Sequence, residues 1–165
     1  MDNLKQYLCL CWFDINPLDL EKSTGFLKLN ILFYLVVQYF LQTNMTDDPF
    51  ESFVEVVFEL LITLIFIGVM LFFDKMLRAY VQVTTAILFC TNVLSVAIIP
   101  VMVWLTVTDE PLSYYVMTIL LMWFYALVTY IFKVSLAINM FASLALALLY
   151  FIVVYLGAIG LGQVI

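Results

Sequence analysis

Residues 53–107, FVEVVFELLITLIFIGVMLFFDKMLRAYVQVTTAILFCTNVLSVAIIPVMVWLTV, form two long apolar runs separated by the short basic segment 74–79. Each run is long enough to cross a bilayer as a helix, because about 20 residues at 1.5 Å each span the hydrocarbon. Three more runs of this kind flank them. The sequence therefore predicts an all-α polytopic membrane protein, a five-helix bundle over residues 17–165 with spans at about 25–42, 53–73, 80–107, 111–132 and 139–163.

The positions of the cations predict the orientation of these spans. The chain has six Lys and Arg residues, and all of them lie in or beside alternate gaps between the apolar runs: Lys5, Lys22, Lys28, Lys75, Arg78 and Lys133. The other gaps carry acids instead. Because cationic loops stay on the cytoplasmic side, we expect the N-terminus inside and the C-terminus outside.

Composition excludes several classes of function. Two thirds of the chain is apolar and 11% is charged, which is more apolar surface than a soluble domain of this length can bury. Six dispersed cations make no basic face, so we expect no nucleic-acid partner. Without histidine, a phosphate loop or a nucleophile elbow, the sequence predicts no enzyme activity, cofactor or metal. The expected partners are the lipid bilayer and other integral membrane subunits.

The first 16 residues are predicted to form an interfacial segment. Residues 4–13 are apolar but too short to span, and their Trp and Tyr suit the headgroup level. The pair Asn16 and Pro17 then favours a helix start. Two of the three cysteines lie in this segment and Cys90 lies within a span, so we expect three free thiols.

An acidic stripe opens the second span. Glu51, Glu55 and Glu59 recur every four residues and share one helix face. Glu59 lies about 9 Å below the predicted outer boundary at 1.5 Å per residue. A carboxylate at that depth costs at least about 2–3 kcal/mol unless it is neutralised or partnered. All six cations are predicted to lie at the opposite face of the membrane, so no opposite charge is expected near it.

Several interpretations of Glu59 remain open. It is protonated and hydrogen-bonded inside the bundle, it faces a hydrated cavity as an ion site, or it meets another protein. A simpler one is that the span begins deeper and leaves the acids near the interface. Three side chains and one backbone carbonyl are predicted to lie at the same depth as these acids. The carbonyl is that of Val96, which Pro100 frees from its helical hydrogen bond. The candidate partner-interface or ion site therefore comprises Glu55, Glu59, Gln38, Tyr115 and Thr118.

A second set of residues is predicted to pack helices together. Asn92, near the middle of the third span, is expected to hydrogen-bond a neighbouring helix, and Pro100 interrupts the same span. The last span carries small residues four positions apart, a spacing that allows close helix approach. The pairs are Ser143 with Ala147 and Ala158 with Gly162.

Several short motifs resemble a known family. They are Asn-Pro-Leu-Asp-Leu at 16–20, Lys75 and Arg78 after the second span, Gln-Val-Thr-Thr-Ala at 82–86, Pro100 and Trp123. Together they resemble small proteobacterial inner-membrane proteins related to the Yip1-type five-span proteins. The resemblance implies five helices, an integral membrane role and no catalytic residue. It also implies an accessory membrane subunit of a larger envelope machine, such as a type IVB secretion apparatus.

Two functional hypotheses follow. The first is a non-catalytic integral membrane subunit or assembly factor that docks laterally on a larger inner-membrane complex, with Glu59 at the contact. The second is a small ion- or proton-coupled transporter or channel, which uses Glu55 and Glu59 as an outward-facing site. The two differ in where the carboxylates point.

Overall fold

A computed structural model describes residues 2–44, 48–108 and 110–162, and in that part of the chain every regular element is helical. The helices are α1 (Asp2–Leu10), α2 (Thr24–Gln42), α3 (Pro49–Phe73), α4 (Tyr80–Val107), α5 (Pro111–Ser135) and α6 (Met140–Gly162). Of these, α2 to α6 are long and apolar enough to cross a membrane. The predicted all-α class and multi-pass membrane protein are thereby confirmed, while the orientation stays a prediction.

The helix boundaries follow from local capping. The side chain of Asp48 accepts hydrogen bonds from the backbone N–H of Phe50 (2.8 Å) and of Glu51 (3.4 Å), and Pro49 occupies the first turn. These are favourable N-terminal features. As a result α3 begins four residues before the predicted start at residue 53, so Glu55 lies in its second turn.

The connection between α1 and α2 is less helical than the sequence predicts. Asn16 caps only a single 3₁₀ turn, Pro17–Asp19, by accepting a hydrogen bond from the N–H of Leu18 at 2.9 Å. The long helix begins later, where the Ser23 hydroxyl accepts from the N–H of Phe26 at 3.2 Å. The helix start predicted at residues 16 and 17 is therefore correct only for that turn.

The core of the molecule is the first half of α4. Every residue from 82 to 92 is buried, so this stretch is covered on all sides by neighbouring helices. Buried hydroxyls here bond to their own helix: Thr85 donates to the carbonyl of Val81 at 2.6 Å and Thr91 to that of Ile87 at 2.8 Å. Beyond Ser95 the burial stops, and no residue from 96 to 107 is buried.

The N-terminal segment packs against this core with one face. Tyr7 is 1% exposed, and its ring centroid lies 4.9 Å from that of Phe26 and 5.4 Å from that of Phe89. On the opposite face, Leu4 and Leu8 are exposed. One face of α1 is therefore protein contact, while its predicted place at a lipid interface stays a prediction.

The last span contains one widened turn. Residues Ile152–Leu156 form a π-helical turn within α6, and the N–H of Gly157 bonds to the carbonyls of Val153 and Val154. Such turns hold one extra residue and are frequent at functional sites. In this chain Tyr155, which lies in the turn, lines the cavity described below.

Gln82 fastens the N-terminal connection to α4. Its side-chain nitrogen donates to the carbonyl of Leu18 at 2.7 Å and to that of Leu20 at 2.6 Å, and the side chain is buried. Gln82→Met keeps the volume and removes both bonds, leaving two carbonyls without this donor. We expect the free energy of unfolding to fall by about 1–3 kcal/mol. Reversible denaturation in mixed micelles measures it.

Thr118→Val is the control for this experiment. The Thr118 hydroxyl is exposed and donates only to its own helix, at 2.8 Å from the Tyr114 carbonyl oxygen. Its removal is expected to change the free energy of unfolding by less than about 0.5 kcal/mol. Equal losses in the two variants would show that Gln82 is not an anchor.

Candidate functional site

A cavity of about 330 Å³ with several polar lining residues lies between the helices. One wall is polar and consists of Gln38, Gln42, Glu55, Glu59 and Tyr155. The remaining walls are apolar and come from four helices: Leu41 of α2, Ile98 and Met102 of α4, Met117 of α5, and Ala158 and Ile159 of α6. All five long helices therefore contribute to the cavity.

Glu55 is held at the polar wall by two neighbouring helices. Its side chain is 7% exposed, and its Oε2 accepts a hydrogen bond from the Nε2 of Gln42 in α2. On the other side α6 comes close, because position 162 is glycine. A Cβ built on Gly162 would lie 2.7 Å from the Cγ of Glu55 and 3.2 Å from its Oε1. The carboxylate is thus clamped between α2 and α6.

Glu59 follows one helical turn later and borders the same cavity. The hydroxyl of Tyr34, a residue of α2 that is 2% exposed, lies close to its carboxyl group. Glu55, Tyr150 and Tyr155 lie within electrostatic range of it. The groups around Glu59 are therefore another carboxylate and phenols.

The charge balance of this wall is negative. All six cations belong to the described part of the chain, and none of them lines the cavity. Two carboxylates one turn apart in a low-dielectric environment repel each other, and a positive charge held between them would relieve that repulsion. Chemically, the arrangement can hold a single positive charge between oxygen ligands.

The structure brings together three of the five residues that the sequence predicts for this site. Gln38, Glu55 and Glu59 share the cavity, and the Nε2 of Gln38 also donates to the Oγ of Ser95 at 2.9 Å. Tyr115 and Thr118 do not reach it. Tyr115 is 68% exposed, and Thr118 is exposed with its hydroxyl bonded within α5. Matching by depth places residues at the right level but does not tell which way the helix turns them.

The Val96 carbonyl, which was predicted as a partner of Glu59, is not found at the carboxylates either. Val96 is 50% exposed and lines a different, apolar cavity of about 410 Å³ between α1, α2 and α4. Pro100 lies inside α4, which continues past it to Val107. From α4 the polar cavity receives Ile98 and Met102 instead.

Three residues of the site escaped the sequence analysis. Tyr34 and Gln42 lie four positions before and after Gln38, so the three form one stripe along α2. This spacing mirrors that of the glutamates and was a readable signal. Tyr155 is different, because it reaches the cavity through the widened turn of α6, which no residue pattern announces.

Five of the six residues predicted to pack helices are buried between spans, whereas Pro100 is exposed. The Nδ2 of Asn92 donates to the backbone carbonyl of Asn30 in α2 at 3.0 Å and lies 3.3 Å from its side-chain oxygen. In α6 the four small residues of the predicted pairs are all buried: Ser143, Ala147, Ala158 and Gly162. The last two flank the glutamates, so helix packing and the polar cavity share residues.

Comparisons of the chain with protein-family models, with curated proteins and with solved structures give no match. The resemblance to Yip1-type five-span proteins therefore stays a prediction.

Gly162→Ala tests the close approach at Glu55. The added methyl group would overlap the Glu55 side chain, which must shift and strain its bond to Gln42. We expect the free energy of unfolding to fall by about 1–3 kcal/mol, as for other overpacked sites. Chemical denaturation in mixed micelles checks it.

Gly160→Ala is the matched control in the same helix. A Cβ at Gly160 meets no atom within 4 Å, so we expect no loss of stability and a small gain from the stiffer unfolded chain. If Gly160→Ala and Gly162→Ala lowered the free energy of unfolding equally, the cause would be helix flexibility and not the contact with Glu55.

Proposed function

We propose that this protein is a small ion- or proton-coupled transporter or channel that holds one positive charge at Glu55 and Glu59. The observation that carries the proposal is the polar wall of the cavity: two carboxylates, two carboxamides and a phenol, with none of the chain's six cations lining it. Such a wall is complementary to a cation.

The energetics favour an occupied site. An intramembrane carboxylate costs about 2–3 kcal/mol even on the lowest scales, and two of them one turn apart cost more. Gln42 donates a hydrogen bond to Glu55 and the Tyr34 hydroxyl lies close to Glu59, but neither brings a positive charge. A proton or a monovalent cation supplies the missing charge. The volume of about 330 Å³ also admits several water molecules of about 30 Å³ each, so the ion keeps part of its hydration.

Access to the site is proposed to be from the outer side of a bacterial inner membrane, with the N-terminus inside. The sidedness follows from the distribution of cations, which lie in or beside the connections at the other end of the bundle. The unburied second half of α4 supports it as well. Helix packing is tight around residues 82–92 and loosens beyond Ser95, at the end of α4 where Ile98 and Met102 line the cavity.

The same loosening favours a second candidate, the non-catalytic subunit or assembly factor of a larger membrane complex. Twelve consecutive residues of α4, 96–107, lack a buried member. A helix of another integral membrane protein placed along this stretch would cover it. In this candidate the contact runs along α4, and Glu59 is a neighbour of the partner and not the contact itself.

Replacement of Glu59 by Gln tests the transport proposal. The purified protein is reconstituted in liposomes with a trapped pH dye, and flux is driven by a potassium diffusion potential with and without sodium. Glu59→Gln keeps the size and removes the charge. Because about 1.4 kcal/mol of binding free energy is worth tenfold in affinity, we expect flux at limiting ion concentration to fall about tenfold or more.

Glu51→Gln is the matched control, because it lies on the same stripe but in the first turn of α3, outside the cavity. Its flux should equal that of the unmodified protein. A reconstituted protein that moves neither protons nor sodium would overturn the transport proposal. In that case, stoichiometric companions in a gentle-detergent pull-down would support the subunit candidate.

A further inference from the structure

Two cysteine thiols far apart in the sequence meet in the fold. The Sγ of Cys11 lies 3.5 Å from the Sγ of Cys90, across a separation of 79 residues. Cys11 follows the end of α1, and Cys90 lies in the fully buried part of α4. The third cysteine, Cys9, is exposed and takes no part in this contact.

Only one of the two sulfurs borders open space. Cys90 is completely buried, whereas Cys11 is 6% exposed and lines a pocket of about 270 Å³ between the N-terminal segment, α4 and α5. The pocket is apolar apart from the thiol, and Trp12 and Trp123 stand in it with ring centroids 5.4 Å apart. A reagent that reaches Cys11 by this route must therefore be apolar, and two indole rings suit a flat ring system.

We propose that Cys11 and Cys90 are a redox pair that a lipid-soluble quinone, bound in this pocket, oxidises to a disulfide. In the reaction the two S–H bonds break and one S–S bond forms. The two electrons and two protons pass to the quinone, which leaves as the hydroquinone. The sulfurs must approach from 3.5 Å to bonding distance near 2.05 Å, and Cys11 has the freedom to do so because it lies in a turn and not in a helix.

Two features adapt the pair to this reaction. Cys11 is the sulfur that borders the pocket, so it meets the quinone first. The apolar route also keeps charged soluble thiols away from the product, so the disulfide persists in a reducing cell. The bond would tie the N-terminal segment to α4 and fix α1 over the apolar cavity that Leu4 and Leu8 line.

The test counts thiols in the full-length protein in native-like membranes. Samples are treated with a short-chain benzoquinone, denatured and labelled with a maleimide polymer that shifts each modified thiol on a gel. The unmodified protein has three thiols and should retain one after oxidation. Cys9→Ser should fall from two to none. Cys11→Ser and Cys90→Ser should each keep two thiols. A purely structural effect of the substitutions would not produce this pattern of thiol counts.

Mass spectrometry of the intact protein separates the possible products. A loss of two hydrogen atoms and one hydroquinone released per chain support the pair. A quinone adduct on a thiol, or retention of all three thiols, would overturn the proposal. Oxidised glutathione is charged and therefore excluded from apolar space. We expect it to react at least about tenfold more slowly than the quinone. Equal rates for the two oxidants would overturn the apolar route.

Discussion

Burial of α4 on every side between residues 82 and 92 is the constraint that arranges the rest of the bundle. A helix surrounded by protein can satisfy its polar side chains only internally, since neither water nor lipid reaches them. Two of these side chains reach outward and locate other elements. Asn92 bonds to the backbone of α2, and Gln82 holds the connection that leads from the N-terminal segment. The central helix thereby fixes its neighbours by specific bonds as well as by packing.

The polar cavity depends on two stripes of polar residues, on α2 and α3, that share a four-residue spacing. Tyr34, Gln38 and Gln42 on α2 and Glu55 and Glu59 on α3 all repeat at four residues. Helices joined by a short loop run side by side, so groups near the loop on one meet groups near the loop on the other. Gln42 accordingly pairs with Glu55, and Tyr34 with Glu59. The acids are stabilised in pairs by neutral donors, which leaves their charge uncompensated.

The sequence was sufficient for the spans but not for the details that depend on helix rotation. Length and apolarity determine the five helices, and the acidic stripe was visible by its spacing. Depth alone wrongly grouped Tyr115 and Thr118 with the glutamates, because the facing of α5 is set by its packing on α4. The contact between Cys11 and Cys90 could not be predicted either, since it depends on how the N-terminal segment packs against α4.

The widened turn of α6 determines which way the residues after it face. Its buried residues are Ser143, Ala147, Tyr150, Val154, Ala158 and Gly162, one in each successive turn. This series advances about 19 residues in five turns, whereas a regular α-helix completes five turns in about 18. One residue is therefore surplus, and the π turn absorbs it. Without that surplus the helix would rotate by about 100° beyond Leu156, and Gly162 would point away from Glu55. A single residue thus sets the rotation of the end of α6 and decides whether Gly162 packs against Glu55.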